Sequence, residues 1–397
     1  MAEINSPLTE SSRLQWIDAA RGLAILGIFM VNAPAFNAPF FLYGGEDEFW
    51  TSSLDQSVQV IIDIFFQASF YTLFSFLFGF GMQIIINKLI DKQMDVRILL
   101  FRRLTILIGF GFIHAFFIWH GDILLSYGII GLLLLLFINT TNRTLLYWAF
   151  GLLLIPVLIY TWLLYMVKDQ LNTYNLGAVN QAFTNYGQGT IVDIWQQNYQ
   201  DWIYANGFIG FIFLAFGLLP LFLLGMLIAR KKWLHNVNQH ASILKRLWLV
   251  TLLIFIVFKA GPHLYGNPAW FSYAQDSVGG SASALFYLVS ITLAFQKGLL
   301  AKLLLPFIYV GRMSLTNYLS QSIICFILFY SVGFGLYGKI SPIGSVGIVL
   351  VIFSLQVVLS KEWIKRYRFG PMEWVWRRLM YGEKLPNKRE RKEVEQG

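Results

Sequence analysis

The stretch Gly109–Gly131, GFGFIHAFFIWHGDILLSYGIIG, decides how this chain is read. It links two apolar runs, Leu104 to Trp119 and Ile123 to Ile138, through a turn that carries His120 and Asp122. His114 lies deeper in the first run. An imidazole or a carboxylate at membrane depth is costly, so it has a job and a partner. The hairpin therefore reads as one wall of a polar pocket opening toward the non-cytoplasmic side.

Composition extends that reading to the whole chain. Of 397 residues, 57% are hydrophobic and only 13% are charged, against about 25% charged in soluble domains. A soluble fold of this size needs more polar surface than that. The expectation is an all-α, polytopic transmembrane helical bundle. The net charge of +9 does not point to nucleic acid, because the placement of the basic residues explains it. The lone Cys325 excludes an intrachain disulfide. The N-terminal segment lacks the basic region and cleavage site of a signal peptide, so the first span is expected to stay.

A helix needs about 20 mostly apolar residues to cross a bilayer. Ten stretches qualify: 17–36, 57–87, 104–120, 122–138, 144–167, 205–229, 244–260, 280–296, 303–331 and 343–360. Those at 57–87 and 303–331 are long enough to be broken or tilted. With the N-terminus inside, all of the 30 lysines and arginines except Lys168, Lys259 and Lys339 fall on the inner side, as the positive-inside rule requires. This predicts ten spans with both termini cytoplasmic, in a bacterial inner membrane. Residues 1–360 form the bundle, and 168–204 folds as an outer cap with a surface helix near 191–203. Residues 361–397 form a cytoplasmic interfacial helix, broken from the last span at Gly370-Pro371, and a charged tail. The Tyr-, Trp- and Asn-rich cap suits sugar or headgroup contact, or an interfacial aromatic belt. No long internal repeat is visible, which disfavours an inverted-repeat transporter.

Polar residues inside the spans are the candidate site. Asp18 and Arg21, three apart, share a helix face and read as an ion pair. Asn32, deeper in the first span, either orients a substrate carbonyl or makes an interhelical hydrogen bond. Asp63 needs a partner, with His114, His120, Lys259 and His263 as candidates. His114 is a candidate base, and Asp122 either orients a histidine or caps the following helix. The spacing of His114, His120 and Asp122 argues against a shared metal, and none is expected. At the inner end of the ninth span, Arg312, Thr316 and Ser320 form a stripe, with Asn317 beside it. Together with Arg102 and Arg103 it reads as a phosphate-holding channel, or as inside charge with packing hydroxyls.

Several phrases then fall together: RLQWIDAARGLAILGIFMVN, TLFSFLFGFGM, HAFFIWHGDILLSYGIIG, GRMSLTNYLSQS and FGPMEWVWRRLMYG. In this order, over nearly the whole chain, they resemble the YeiB-like bacterial membrane proteins, the family called domain of unknown function 418. More distantly, IDAARGLAILGIFMVN resembles the first span of the heparan-alpha-glucosaminide N-acetyltransferase group of transmembrane acyltransferases. That resemblance implies acetyl-CoA bound from the cytoplasm, an acceptor on the other face, and Asn32 in the active site. The group's histidine, in the first outer loop, has no counterpart in Ala33 to Trp50, where Tyr43 stands instead. His114 or His120 would fill that role.

Two functions are expected. One is an enzyme moving an acyl group from cytoplasmic acyl-CoA or acetyl-CoA to a small-molecule or envelope-glycan acceptor outside. In it His114 is the base, Asp63 or Asp122 orients it, Asn32 holds the carbonyl, and Arg102, Arg103 and Arg312 hold phosphates. The other is a small-solute transporter or exporter with Asp63 and His114 as proton-coupling sites. A non-catalytic membrane protein is the third alternative. Partners are membrane lipids and a second copy in a homodimer, not nucleic acid.

Overall fold

Helix α1 (Gln15–Asn37) is the axis on which the bundle is assembled. The structure, a computed structural model, describes residues 14–171, 174–382 and 385–389. Residues 1–13 and the charged tail from 390, both part of the topology expected above, lie outside the described residues. After α1 come α2 (Ser53–Phe65), α3 (Ser69–Asp91), α4 (Val96–Phe117), α5 (Leu124–Leu132), α6 (Asn142–Met166), α7 (Leu176–Gln188) and α8 (Ile191–Asn206). Then follow α9 (Phe208–Arg230), α10 (Ala241–Phe255), α11 (Gly280–Phe295), α12 (Gly298–Arg312), α13 (Ser314–Phe329), α14 (Pro342–Arg366) and α15 (Pro371–Tyr381). No β-strand occurs among the described residues.

Lipid tails are as apolar as leucine, so helices in a bilayer gather where small residues let backbones approach. α1 buries Ala19, Ala20, Gly22, Ala24, Gly27 and Ala33, and packs against α3, α11, α12, α13 and α14. A Cβ on Gly311 of α12 would collide with the Asp18 carbonyl, and one on Gly22 with the Phe307 carbonyl. The other tight seam joins α3 and α9. There Gly79 meets the Phe222 backbone and Gly225 meets the Phe76 backbone.

Each of the ten apolar stretches is helical. Seven helices among the described residues are long and apolar enough to cross a membrane, and Leu124–Phe137 and Ser314–Phe329 are shorter apolar helices. The two long stretches are broken. Ala68, with φ 58°, separates α2 from α3. A left-handed alanine costs about 1–2 kcal/mol, and the Thr72 hydroxyl, donating to the Ala68 carbonyl at 2.6 Å, helps to hold it. Met313, with φ −123° and ψ 36°, separates α12 from α13.

The two ends of the bundle differ in charge. At the basic end, Arg230 closes α9 by donating to the carbonyls of Phe137, Ile138 and Thr140 and to Gln83 Oε1. These carbonyls lie at and just beyond the end of the 3-10 turn Leu133–Phe137 that continues α5, a position that a guanidinium fork suits. α15 docks beneath α4 and α13. Glu373 accepts the Leu315 and Thr316 amides at 2.7 and 3.1 Å, the orphan donors at the start of α13. Trp376 donates to the Arg103 carbonyl at 3.0 Å, under the Arg103 guanidinium. At the opposite, cap end, α8 starts with a Thr190–Asp193 capping box and is tied to α4 by Trp195 Nε1 donating to the Phe117 carbonyl.

Gly311→Ala is expected to push α12 off α1, costing about 1–3 kcal/mol as an overpacked contact. Gly151→Ala, where a Cβ meets nothing within 4 Å, should leave the melting temperature in detergent unchanged or slightly raised. Equal melting temperatures for the two variants would contradict the seam described.

Candidate functional site

At the basic end α1, α3, α4, α5, α12, α13 and α15 enclose a cavity of roughly 390 Å³. Five cations line it: Arg21, Lys88, Arg103, Arg312 and Arg377. Its two carboxylates are Asp18, 3.1 Å from Arg21 Nη1, and the α13 cap Glu373. Further lining is apolar, including Ile25, Ile28, Leu77, Leu107 and Leu124, with the rings of Tyr127 and Tyr318. A charged portion and a greasy portion in one cavity suit an amphiphilic anion. His235, in the loop after α9, also lines it and stacks on Phe80 with ring centroids 5.6 Å apart. Burial, then the charge of Lys232, pushes its pKa down, which favours the neutral ring.

The hairpin histidine lies behind this cavity. His114 Nδ1 is 2.8 Å from Asp122 Oδ1, with both side chains buried. The approach is close but lacks the angles of a straight hydrogen bond. Asp122 Oδ2 also accepts the Leu125 amide at 2.6 Å, so it caps α5 and faces the histidine at once. His114 Nε2 has no hydrogen-bond partner among the described residues. Tyr318, which lines the cavity, lies against the imidazole with centroids 5.2 Å apart. A carboxylate against one ring nitrogen and nothing on the other is the arrangement of a base with its orienting group.

His120 belongs to a different cluster, under the cap. Its Nδ1 is 3.2 Å from Tyr186 Oη and 3.4 Å from Asp201 Oδ2. Asp201 accepts from Tyr43 at 2.6 Å, Gln197 at 2.6 Å and Tyr186 at 2.8 Å. Tyr186 stacks on Tyr330 at 4.5 Å. Buried polar groups are tolerated when each finds a partner, and here the carboxylate gathers several neutral donors.

Nearer the cap end is a second cavity, of about 750 Å³. Asp63 stands at its edge. Lys259, fully buried, lies 3.3 Å from Asp63 and 3.0 Å from Asp276. His263 Nε2 is 2.8 Å from Asp63 Oδ2, which also accepts from Gln275 at 2.9 Å. Lys259 and Asp276 come from two π-helical turns, Ile256–Ala260 and Gln275–Gly279, packed against each other. Such turns are frequent at functional sites.

The predicted residues thus separate. Arg103 and Arg312 share the basic cavity, while Arg102 lies against Gly382 outside its lining. Asn317 is in the seam between α13 and α14, donating to the Val310 carbonyl and Ser360 Oγ. Asn32 is half-buried and lines neither cavity. Of the candidate partners for Asp63, the fold selects Lys259 and His263, and gives His114 to Asp122 and His120 to Asp201. Sequence reasoning missed Asp276, Asp201, His235, Tyr318 and Glu373. Asp276 was findable, because it is the only charged residue from Ala260 to Gln296. The others depend on which helices meet. No group of three or more His, Cys, Asp or Glu suited to a metal occurs among the described residues.

Residues 228–383 match the family described as "Protein of unknown function (DUF418)". The chain is 35% identical to "Uncharacterized protein YxaH" of Bacillus subtilis (strain 168), over 94% of this chain and 96% of that one. It is 30% identical to an "Uncharacterized 39.9 kDa protein in amylase 3'region" of Bacillus acidopullulyticus, over 96% and 97%. To "Uncharacterized protein YeiB" of Escherichia coli (strain K12) it is 28% identical, over 91% and 95%. No solved structure matches.

Removing one partner of a buried ion cluster costs about 3–5 kcal/mol, whereas replacing the whole cluster costs far less. Lys259→Met alone is therefore expected to lower the melting temperature clearly. Combining it with Asp63→Asn and Asp276→Asn should recover most of the loss. A triple variant no more stable than Lys259→Met would contradict the pairing.

Proposed function

We propose, for a chain that belongs to the DUF418 family of helical membrane proteins, an acyltransferase activity that uses a cytoplasmic acyl-CoA or acetyl-CoA and an acceptor from the outer face. The observation that carries this reading is the basic cavity, with five cations among its lining and a buried base–carboxylate pair behind Tyr318. The positive-inside rule assigns the basic end to the cytoplasm of a bacterial cell, where acyl-CoA is found.

In this reading Arg103 and Arg312, with Lys88 and Arg377, hold donor phosphates through charge-assisted hydrogen bonds. The pantetheine and acyl portion lies along Ile25, Ile28, Leu77 and Leu107. His114 Nε2 takes the proton from the acceptor hydroxyl or amine, and Asp122 stabilises the imidazolium that forms. The acceptor atom bonds to the thioester carbon, the C–S bond breaks, and the thiolate leaves and takes up a proton. Tyr318, which lines the cavity and lies against the imidazole, offers a hydroxyl for the developing oxyanion. Asn32, which lines neither cavity, has no such role in the arrangement described.

One observation favours a second reading, a small-solute transporter. The basic cavity reaches Ile28 of α1 and the outer cavity begins at Val31, about one helical turn farther along. Lys259 and its two carboxylates stand beside the outer one. Ionisable residues in this position are those expected along a substrate or ion path.

The test uses full-length protein in nanodiscs. Acetyl-CoA and a long-chain acyl-CoA are expected to bind. Arg312→Ala should weaken binding about tenfold, the loss of one charge-assisted contact worth about 1.5 kcal/mol. His114→Ala should keep binding and lose transfer. Absence of binding by either donor would remove the acyltransferase reading. Solute flux into liposomes lacking any donor, abolished in Asp63→Asn, would replace it with transport.

A further inference from the structure

The outer cavity holds polar groups that the bundle itself leaves without partners. Asn37, 2% exposed, donates its amide to the Ile340 carbonyl at 2.6 Å. That bond leaves Oδ1 as the acceptor, and Oδ1 has no partner among the described residues. Ser345, fully buried near the start of α14, also has an unpartnered hydroxyl. Both residues line this cavity. Leaving such groups unmet costs about 1–3 kcal/mol each, and they come from α1 and α14, two helices that pack together. Unpaired buried polar atoms that converge on one cavity are what a ligand site looks like before its ligand arrives.

The remaining lining says what the ligand must be. Four carboxylates face it: Glu46, Asp47, Asp63 and Asp276. Against them stand His263 and the buried Lys259, which already contacts two of the four. Ionised carboxylates only accept hydrogen bonds, and Asn37 Oδ1 adds another acceptor. The surplus of acceptors calls for a ligand rich in O–H or N–H donors. The surplus of negative charge rejects an anion. Trp50 adds an aromatic ring to the lining. A volume of about 750 Å³ falls in the range of small-molecule sites.

We propose that this cavity is a binding site for a polyhydroxylated molecule, neutral or carrying an amine, that enters from the cap side. Asn37 Oδ1 and Ser345 Oγ bind its hydroxyls beside Asp63. This rests on the acyltransferase reading only in making the ligand the acceptor. The binding itself stands without it, and would equally make the molecule a transported solute.

The test therefore omits any acyl donor. Wild-type protein in nanodiscs is titrated calorimetrically with three probes that differ mainly in charge: glucose, its 2-amino-2-deoxy derivative, and glucuronate. The first two are expected to saturate, and glucuronate to bind at least about tenfold more weakly, since like charges across a site oppose binding. Ser345→Ala should weaken glucose binding about tenfold while keeping or raising the melting temperature, because it deletes a hydroxyl that nothing in the fold satisfies. Asn37→Ala should weaken it as well. The proposal is overturned if no probe saturates, if glucuronate binds as well as glucose, or if Ser345→Ala binds glucose unchanged. Sugar binding that persists while both acyl-CoA donors fail to bind would sink the acyltransferase reading and leave this one standing.

Discussion

Everything in this molecule depends on how thin α1 is. Helices in lipid have no hydrophobic reason to prefer one another over acyl chains, so they stay together where backbones touch. α1 presents alanine and glycine to its neighbours, and the Asp18 and Phe307 carbonyls lie where side chains would otherwise be. The same helix supplies Asp18, Arg21, Ile25 and Ile28 to one cavity and Val31, Pro34 and Asn37 to the other. A single closely packed rod is thus the shared wall between two openings of opposite chemistry.

The second constraint is that charge inside the bundle has to be neutralised locally. Several of the ionic groups find their partners by crossing between elements. Lys259 sits between carboxylates of α2 and of the π-turn that follows the Trp270 region. Arg230 closes carbonyls from a different helix. Glu373 reaches from α15 to the start of α13. These are long-range pairings that also hold the elements in register. In contrast, Asn37 Oδ1, Ser345 Oγ and His114 Nε2 are buried and unmet. The first two line the outer cavity and the third faces away from Asp122, so these three atoms are where the two proposed sites are open.

Asp18 and Arg21 pair at 3.1 Å, as their spacing of three on one helix allowed. His114 and Asp122 are eight residues apart across a turn, close enough for the hairpin to bring them together. Asp63 could not be assigned from the sequence, because its partners lie about two hundred residues away. Arg312 and Asn317 look alike in sequence as polar residues of one inner stripe. The break at Met313 sends Arg312 to the cavity and Asn317 to a helix seam.

The sequence by itself determined the membrane class, the helical character of the ten apolar stretches, the family, and the Asp18–Arg21 pair within one helical turn. The membrane class, the helices and that pair follow from composition, periodicity and spacing, which are local and additive along a chain, and the family follows from likeness to relatives over most of the chain. Only the tertiary structure decided which helices touch, that two cavities share α1 as a wall, that Lys259 joins Asp63 to Asp276, and which polar atoms stay without a partner. Such outcomes depend on close packing between segments far apart in the chain, and no local pattern encodes which distant backbone will fill the groove that a glycine leaves.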